Sequence, residues 1–239
     1  METLLKVQGL TKKYGPHTAV AGVTFSVNRG EIFGLIGANG AGKSTTIECI
    51  VGTKKPDKGS ITILGVDGIA QGKSICGRIG FQFQETPYQD RILVKEACRV
   101  TSSLYTNPLP WHEVLTRVGL QEKGNMEVSK LSGGERQRLS VALALIPNPE
   151  LVFLDELTTG LDPKARRSMW KMIEELRDRG VSIVITSHFM DEVEYLCGRI
   201  AIMKEGVFIA QGTPSELIAI HQKSNLEEVF LQYMDKEEL

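Results

Sequence analysis

A glycine-rich segment at residues 37–44, GANGAGKS, constrains the fold of this chain more than any other feature. An apolar run at residues 32–36 precedes it, and residues 45–51 follow it as a helix. Strand, glycine loop and helix in this order form the phosphate-binding P-loop. Its glycines allow positive φ angles and let backbone N–H groups surround a polyphosphate, and the helix N-terminus adds partial positive charge. The plainer interpretation is a glycine turn between a core strand and a helix, but the strand and helix on either side favour a nucleotide site.

The end of this loop carries the two side chains that a P-loop uses. Lys43 is placed to reach the terminal phosphates of the nucleotide, and the Ser44 hydroxyl is placed to ligate Mg²⁺. The nucleotide-binding residues predicted in and just after the segment are Gly37, Asn39, Gly40, Gly42, Lys43, Ser44 and Thr45.

Composition limits the classes of protein to which the chain can belong. An apolar fraction of 41% over 239 residues is enough for a core, and the net charge of −1 gives no general attraction to nucleic acid. We therefore expect no nucleic-acid partner. The four cysteines form no CxxC pair and have no metal-like spacing, which predicts reduced thiols in a cytosolic protein. The sequence has no secretion signal at its start and no apolar stretch near the ~20 residues that cross a bilayer.

The order of apolar patterns predicts an α/β fold with two additions. Residues 5–10 and 22–27 alternate like antiparallel strands, and residues 79–84 predict a further strand. Residues 85–146 are mainly helical, after which buried strands and helices alternate again. We predict a P-loop NTPase core with an N-terminal antiparallel β subdomain and an inserted α-helical subdomain. The predicted single domain spans 1–239, with its core at 1–84 and 147–220, the insertion at 85–146 and an amphipathic C-terminal tail at 221–239.

Two carboxylates end the buried strand at residues 151–155. In P-loop proteins such an Asp holds Mg²⁺ opposite the loop Ser, so Asp155 is the predicted metal ligand. Glu156 lies one residue further and can face the γ-phosphate side, where a general base for water would act. The alternative is that both acids only cap a turn. The P-loop favours the catalytic interpretation.

A second glycine-containing helix start, LSGGE at residues 131–135, has no P-loop of its own. Ser132 is the predicted N-cap, and the helix N-terminus behind it has an anion-binding geometry. It is either a local cap, or it binds the phosphate that a different subunit holds.

The set GANGAGKS, LSGGE, LVFLDE, GLD and a lone histidine after a buried strand resembles the ATP-binding cassette of ABC transporters. The resemblance covers about residues 4–220, and the combined motifs are highly specific. It implies two ATP molecules sandwiched between two cassettes, each between one P-loop and the opposite LSGGE, with a second copy of the chain as the expected partner. It also implies a separate transmembrane permease subunit and a cytoplasmic location on the inner face of the cell membrane.

The resemblance also implies roles for residues outside the P-loop. Tyr14 would stack on adenine, and Gln84 would contact Mg²⁺ and the attacking water. Ser132, Gly133 and Gly134 would bind the γ-phosphate held by the partner. Asp162 would contact the partner, and His188 would contact the γ-phosphate.

Each of these roles has a structural alternative. Tyr14 could instead pack a turn, either Gln82 or Gln84 could be a structural hydrogen-bonder, and His188 could be a core histidine at a strand end. The carboxyl edge of a parallel strand, where α/β sites lie, favours function for His188.

The chain departs from the usual family pattern at two positions. Leu157 stands where Pro usually follows the catalytic Glu, and Phe83 stands where Pro often precedes the glutamine. The first departure predicts a less rigid loop up to Asp162 without loss of a catalytic atom.

The tail SNLEEVFL at residues 224–231 resembles the end of exporter ATPases of the bacterial drug and polysaccharide type. The prediction is an ATP-hydrolysing subunit that drives export through the permease. The alternatives are an importer ATPase, a soluble ABC ATPase of DNA repair or translation, and a catalytically silent regulatory cassette. The interval between residues 43 and 155 has no room for the long coiled coil of the DNA-repair proteins, and the chain holds one cassette where translation factors usually hold two. Intact Lys43, Glu156 and LSGGE argue against a silent cassette.

Overall fold

The computed structural model describes residues 2–70, 75–82 and 88–234, which fold into two compact units. The first unit comprises Met1–Ile75 and Ser182–Leu239, and the second comprises Cys76–Val181. The strands are β1 Thr3–Tyr14, β2 His17–Asn28, β3 Ile32–Ile36, β4 Lys58–Ile63, β5 Val66–Asp67, β6 Ile79–Gln82, β7 Leu151–Asp155, β8 Ser182–Ser187, β9 Arg199–Lys204 and β10 Val207–Gly212. The α-helices of the described residues are α1 Lys43–Ile50, α2 Val94–Ser103, α3 Trp111–Arg117, α4 Gly133–Leu145, α5 Pro163–Asp178, α6 Met190–Leu196, α7 Pro214–Ile220 and α8 Leu226–Met234.

The first unit contains an antiparallel sheet in the order β2-β1-β4-β5. Val7 of β1 pairs with Phe25 of β2 on one side and with Ile61 of β4 on the other, and all three are buried. This alternation of buried and exposed residues is what the sequence predicts for a sheet with one face on the core. The predicted N-terminal antiparallel unit is confirmed, with longer strands than the alternating segments indicate.

The first unit also contains a mixed sheet built on β3. β3 lies between the parallel strands β8 and β9, and β10 pairs antiparallel with β9. Every residue of β3 is buried, as predicted for a strand covered on both faces. Ile36 is in register with Ser187 of β8 and with Ile202 of β9. The segments that follow these three strands therefore start at the same carboxyl edge.

The second unit pairs β6 with β7 in parallel and packs α2, α3 and α4 against one another. In the described part of residues 85–146, the predicted mainly helical character is confirmed by α2, α3 and α4, and α4 begins after Ser132. The strand predicted at 79–84 ends at Gln82, and residues 83 and 84 lie outside the described ranges. The domain limits at 84, 146 and 220 stay a prediction.

The predicted amphipathic tail forms α8, which packs on the first unit. Leu226 and Val229 are fully buried, whereas Phe230 and Tyr233 are half-buried. The α8 N-terminus is held by a hydrogen bond from Leu226 N to Glu194 Oε2 (2.9 Å). All four cysteines are free thiols, and none of the helices in the described ranges is long and apolar enough to span a membrane.

Candidate nucleotide-binding site

Backbone carbonyl groups of the same chain pack against one side of the loop between β3 and α1. Gly42 is the N-cap of α1 at φ +105°, a conformation that L side chains rarely adopt. A β-carbon on Gly42 would overlap the Ala19 carbonyl oxygen, and one on Gly37 would overlap the Met203 carbonyl oxygen. Gly40 also has positive φ, but a β-carbon there would meet no atom within 4 Å. The loop is therefore packed on one side and open on the other.

The Lys43 side chain folds back and lies inside this loop. Its side chain is only 5% exposed, and Nζ donates to the carbonyl oxygens of Gly37 (2.9 Å) and Ala38 (3.1 Å). Helix α1 begins without a side-chain cap, and its first turn contains no acidic residue. Ser44 is exposed and Thr45 is half-buried in that turn. A polyphosphate would therefore meet an ammonium group, a helix N-terminus and an accessible hydroxyl.

His188 lies at the same edge of the sheet as the glycine loop. Gly37 and His188 each follow one of the two paired residues Ile36 and Ser187, which end parallel neighbouring strands. Ser187 Oγ donates to Glu192 Oε2 (2.6 Å) and accepts from the Phe189 amide (3.0 Å), which fixes the turn that contains His188. The His188 ring is half-buried and lies 4.2 Å from the Phe189 ring. His188 therefore lies at the sheet edge where the glycine loop starts, and its contact with the γ-phosphate stays a prediction.

Tyr14 ends β1 at the tip of the hairpin with β2, where it pairs with His17. The residue is 42% exposed, so it is not buried in the turn. The ammonium groups of Lys12 and Lys54 lie 5.5 and 5.2 Å from the ring centroid. An open aromatic surface is what adenine stacking requires, and the role itself stays a prediction.

In the second unit, Asp155 is the last residue of β7 and is 7% exposed. Its backbone amide donates to Gln82 Oε1 (3.0 Å), and the Gln82 side chain is buried. Gln82 therefore has a structural hydrogen bond of its own. The predicted metal ligand Gln84 lies outside the described residues.

Glu156 has a left-handed backbone conformation at φ +48°. In an L residue this conformation costs about 1–2 kcal/mol. Hairpin turns account for the same conformation at Leu64 and Glu205, and a helix end accounts for it at Gln222. Glu156 instead follows a parallel strand and starts the turn in which Thr159 N donates to the Glu156 carbonyl (3.2 Å). Backbone strain of this kind concentrates at functional sites.

The LSGGE segment forms the start of α4 as a capping box. Ser132 is the N-cap, with Oγ accepting from Glu135 N (3.3 Å) while Ser132 N donates to Glu135 Oε2 (2.9 Å). These hydrogen bonds, first of all that from the Ser132 backbone, and the Lys123 ammonium 2.9 Å away lower the pKa of Glu135. The predicted N-cap is confirmed, and the Ser132 hydroxyl can still donate its proton to an anion.

The two glycines of this segment are not required by the packing of the unit that contains them. A β-carbon on Gly133 would meet nothing within 4 Å, and one on Gly134 would make ordinary contacts with Ala165 and Leu161. Both residues lie in the first turn of α4, where glycine weakens a helix relative to alanine. Their presence is explained if another molecule approaches this turn closely.

Asp162 has a local role as the N-cap of α5. Its Oδ1 accepts from the amides of Lys164 (2.9 Å) and Ala165 (3.0 Å), and Pro163 occupies the first helical position. Its contact with a partner stays a prediction.

Three residues at this site were not predicted from the sequence. Met203 borders the glycine loop, and Lys12 and Lys54 flank Tyr14. Lys12 could have been found, because it lies two residues before Tyr14 on the same strand face. No local pattern marks Met203 or Lys54, since both reach the site through tertiary packing.

These features are those of an α/β protein of the P-loop class, with its glycine loop at the carboxyl edge of a parallel sheet. A family model described as ABC transporter matches residues 20–159, a span that contains the P-loop, LSGGE and the Asp155–Glu156 pair. The chain belongs to the ABC transporter family and is one of its ATP-binding subunits.

Similar proteins agree with this assignment. The Nod factor export ATP-binding protein I of Rhizobium etli is 40% identical, over 90% of this chain and 70% of that protein. The probable multidrug ABC transporter ATP-binding protein YbhF of Escherichia coli is 37% identical, over 99% of this chain but only 43% of that protein. A solved ATP-binding subunit of an ABC transporter superposes with a TM-score of 0.87 at 26% identity, over 97% of this chain and 100% of that chain. A bacterial ABC transporter cassette solved as a dimer has the same fold, with a TM-score of 0.77 at 24% identity over 88% and 98% of the two chains. The predicted fold class is confirmed.

Proposed function

We propose that this protein hydrolyses ATP with Mg²⁺ and thereby drives export through a separate membrane permease. The observation that carries the proposal is the glycine loop, in which the buried Lys43 ammonium lies at the uncapped N-terminus of α1. An ammonium and a helix N-terminus together stabilise negative charge on the β- and γ-phosphates. His188, at the same sheet edge, supports contact with the terminal phosphate.

In the proposed mechanism, Lys43 neutralises the terminal phosphates and Glu156 accepts the proton of the attacking water. Ser44, Asp155 and Gln84 are the proposed Mg²⁺ ligands. Hydroxyl, carboxylate and amide oxygens fit Mg²⁺, which proteins bind through one or two carboxylates plus substrate phosphates. When bound, the ion would help to neutralise the negative charge of the phosphates.

The proposed active form is a head-to-tail pair of two copies of this chain. The Ser132 hydroxyl and the first-turn amides of Gly133 and Gly134 bind the γ-phosphate of the ATP that the partner holds. Asp162 contacts the partner, and Tyr14 stacks on the adenine. Gly133 faces open space, so packing within the second unit does not explain why this residue is a glycine. This observation supports the arrangement.

ABC ATP-binding subunits work with membrane permeases, and the relatives named above include a Nod factor exporter subunit and a probable multidrug transporter subunit. These names and the exporter-like tail support export as the direction of transport. The proposed location is the cytoplasmic face of the cell membrane, where the permease holds the protein.

Phosphate release from Mg-ATP by the purified protein tests the hydrolysis proposal. Lys43→Ala should lose ATP binding and turnover, because the substitution removes the positive charge that neutralises the terminal phosphates. Glu156→Gln should bind ATP normally but turn over about 10²–10⁴-fold more slowly, because the amide cannot accept a proton. Lys58→Ala, which removes an exposed lysine of β4, is the matched control and should behave like the parent protein. Parent-like binding and turnover in Lys43→Ala would refute the proposed phosphate site, and rapid hydrolysis by Glu156→Gln would exclude Glu156 as the base.

A further inference from the structure

Two lysines from different parts of the chain approach the exposed ring of Tyr14. Lys12 lies two residues earlier on β1, and Lys54 belongs to the connection between α1 and β4. Their ammonium groups are 5.5 and 5.2 Å from the ring centroid, within the ~6 Å range of a cation–π contact. Both cations can therefore orient the ring.

Lys54 connects the ring to the helix that follows the glycine loop. Its Nζ is 2.9 Å from Glu48 Oε2, and Glu48 lies on α1 five residues after Lys43. The hydrogen bond to Glu48, and then the one to Tyr14, raise the pKa of Lys54, which keeps the ammonium charged across the physiological range. A continuous set of contacts therefore runs from Tyr14 through Lys54 and Glu48 to the helix that carries Lys43.

Lys12 is anchored separately, to the backbone that follows Lys54. Its Nζ donates to the Lys55 carbonyl (2.8 Å) and lies 3.7 Å from Asp57 Oδ1. The Asp57 side chain also accepts from Lys13 N (2.6 Å), and Asp57 N donates to the Thr11 carbonyl (2.8 Å). These hydrogen bonds join the hairpin that carries Tyr14 to the connection that carries Lys54. They therefore hold the Lys54 ammonium close to the Tyr14 ring.

We propose that Lys54 is a positioning residue for the base end of the nucleotide: paired with Glu48 and placed over Tyr14, it holds the ring as a platform at a fixed distance from the phosphate loop. The inference rests on the proposed ATP binding, with adenine on Tyr14. A nucleotide spans both ends of this set of contacts, with its phosphates at Lys43 and its base at Tyr14. Lys54 therefore acts on binding of the base and leaves the chemistry at the phosphates unchanged.

The decisive variant is Lys54→Met, which keeps the length of the side chain and removes its charge. A cation–π contact at an exposed position accounts for roughly a two- to fivefold change in affinity. We expect Lys54→Met to raise KM for ATP about threefold at constant kcat, and to leave binding of inorganic triphosphate, which has no base, unchanged. Lys54→Arg should restore KM, because guanidinium also pairs with carboxylates and stacks on aromatic rings.

Lys55→Met is the matched control, because it removes the same charge from the adjacent, exposed side chain. It should leave KM unchanged. Glu48→Gln, which keeps Lys54 but weakens its tether to α1, should reproduce part of the Lys54→Met effect.

A double-mutant cycle with Tyr14→Ala separates this inference from the function on which it rests. If Lys54 acts through the ring, Lys54→Met should have no further effect on KM in the Tyr14→Ala protein. If Tyr14→Ala leaves KM for ATP unchanged, the proposed adenine platform itself is wrong. If Tyr14→Ala raises KM but Lys54→Met does not, the platform stands and the role of Lys54 is refuted. Equal effects of Lys54→Met and Lys55→Met, or a loss of triphosphate binding in Lys54→Met, would also overturn the inference.

Discussion

At the scale of single residues, the glycines of the two loops differ in what surrounds them. Gly37 and Gly42 have carbonyl oxygens where a β-carbon would lie, and Gly42 also has positive φ. Gly133 has ordinary φ and open space. The first pair is required for this chain to fold around its P-loop, whereas Gly133 is explained by a molecule outside the chain. The same residue type therefore meets two different physical demands.

This difference predicts opposite phenotypes for the same substitution. Gly42→Ala should lower the free energy of unfolding by about 2–4 kcal/mol, through strain at positive φ and overlap with the Ala19 carbonyl. Gly133→Ala should not destabilise the monomer, because alanine favours a helix and has room. It should nevertheless weaken ATP-dependent pairing of two chains, since its methyl group occupies the space of the incoming phosphate. Urea unfolding and light scattering with ATP measure the two effects. A destabilised Gly133→Ala monomer would contradict the interpretation of that glycine.

At the scale of elements, the start of α4 combines folding with binding, because one capping box organises the turn that meets the phosphate. Glu135 is bonded to Ser132 N and paired with Lys123, and its pKa is lowered. A lowered folded-state pKa means that the carboxylate contributes stability that is fully present above its unfolded pKa. That contribution is lost as the pH falls through the folded-state pKa.

The contribution of Glu135 should therefore depend on pH. At pH 7 the parent protein should be more stable to urea than Glu135→Gln, and the difference should shrink below the ordinary glutamate pKa of 4.5. Measuring the free energy of unfolding of both proteins from pH 7 to below pH 4.5 gives the contribution of the ionised carboxylate. A difference in the free energy of unfolding that stays constant from pH 7 to pH 3 would contradict the assigned ion pair.

The elements that could be predicted from sequence are those whose signal is local. β3, β7 and β8 are each built around a short apolar run, and α5 and α7 start with caps and a proline. Lys43, Ser132 and Asp155 could be found because each lies in a short motif whose spacing is set by one turn of backbone. The pairing of Lys54 with Tyr14 could not, because forty residues separate them and no periodicity links them. The left-handed conformation of Glu156 has no sequence signal either, since neither Gly nor Asn marks it.

At the scale of the whole molecule, the sequence contains one P-loop and a second glycine-containing helix start, LSGGE, for which we propose an anion-binding role. Lys43 is buried in its loop, whereas Ser132 and Gly133 are exposed at the start of α4. In the proposed arrangement, the exposed glycine turn with its donor hydroxyl completes the phosphate site of the other copy. We therefore expect two copies to share ATP and hydrolysis to separate them.

The most direct test of this claim is the molar mass of Glu156→Gln measured by light scattering with and without saturating Mg-ATP. We expect the mass of one chain without nucleotide and of two chains with it, because the variant binds ATP but cannot hydrolyse it, and ligand linkage favours the state that binds. Ser132→Arg added to the same protein should keep ATP binding at Lys43 and abolish the pair, since a bulky cation fills the shared site. A mass of one chain for Glu156→Gln at saturating Mg-ATP would contradict the sharing of ATP between two copies.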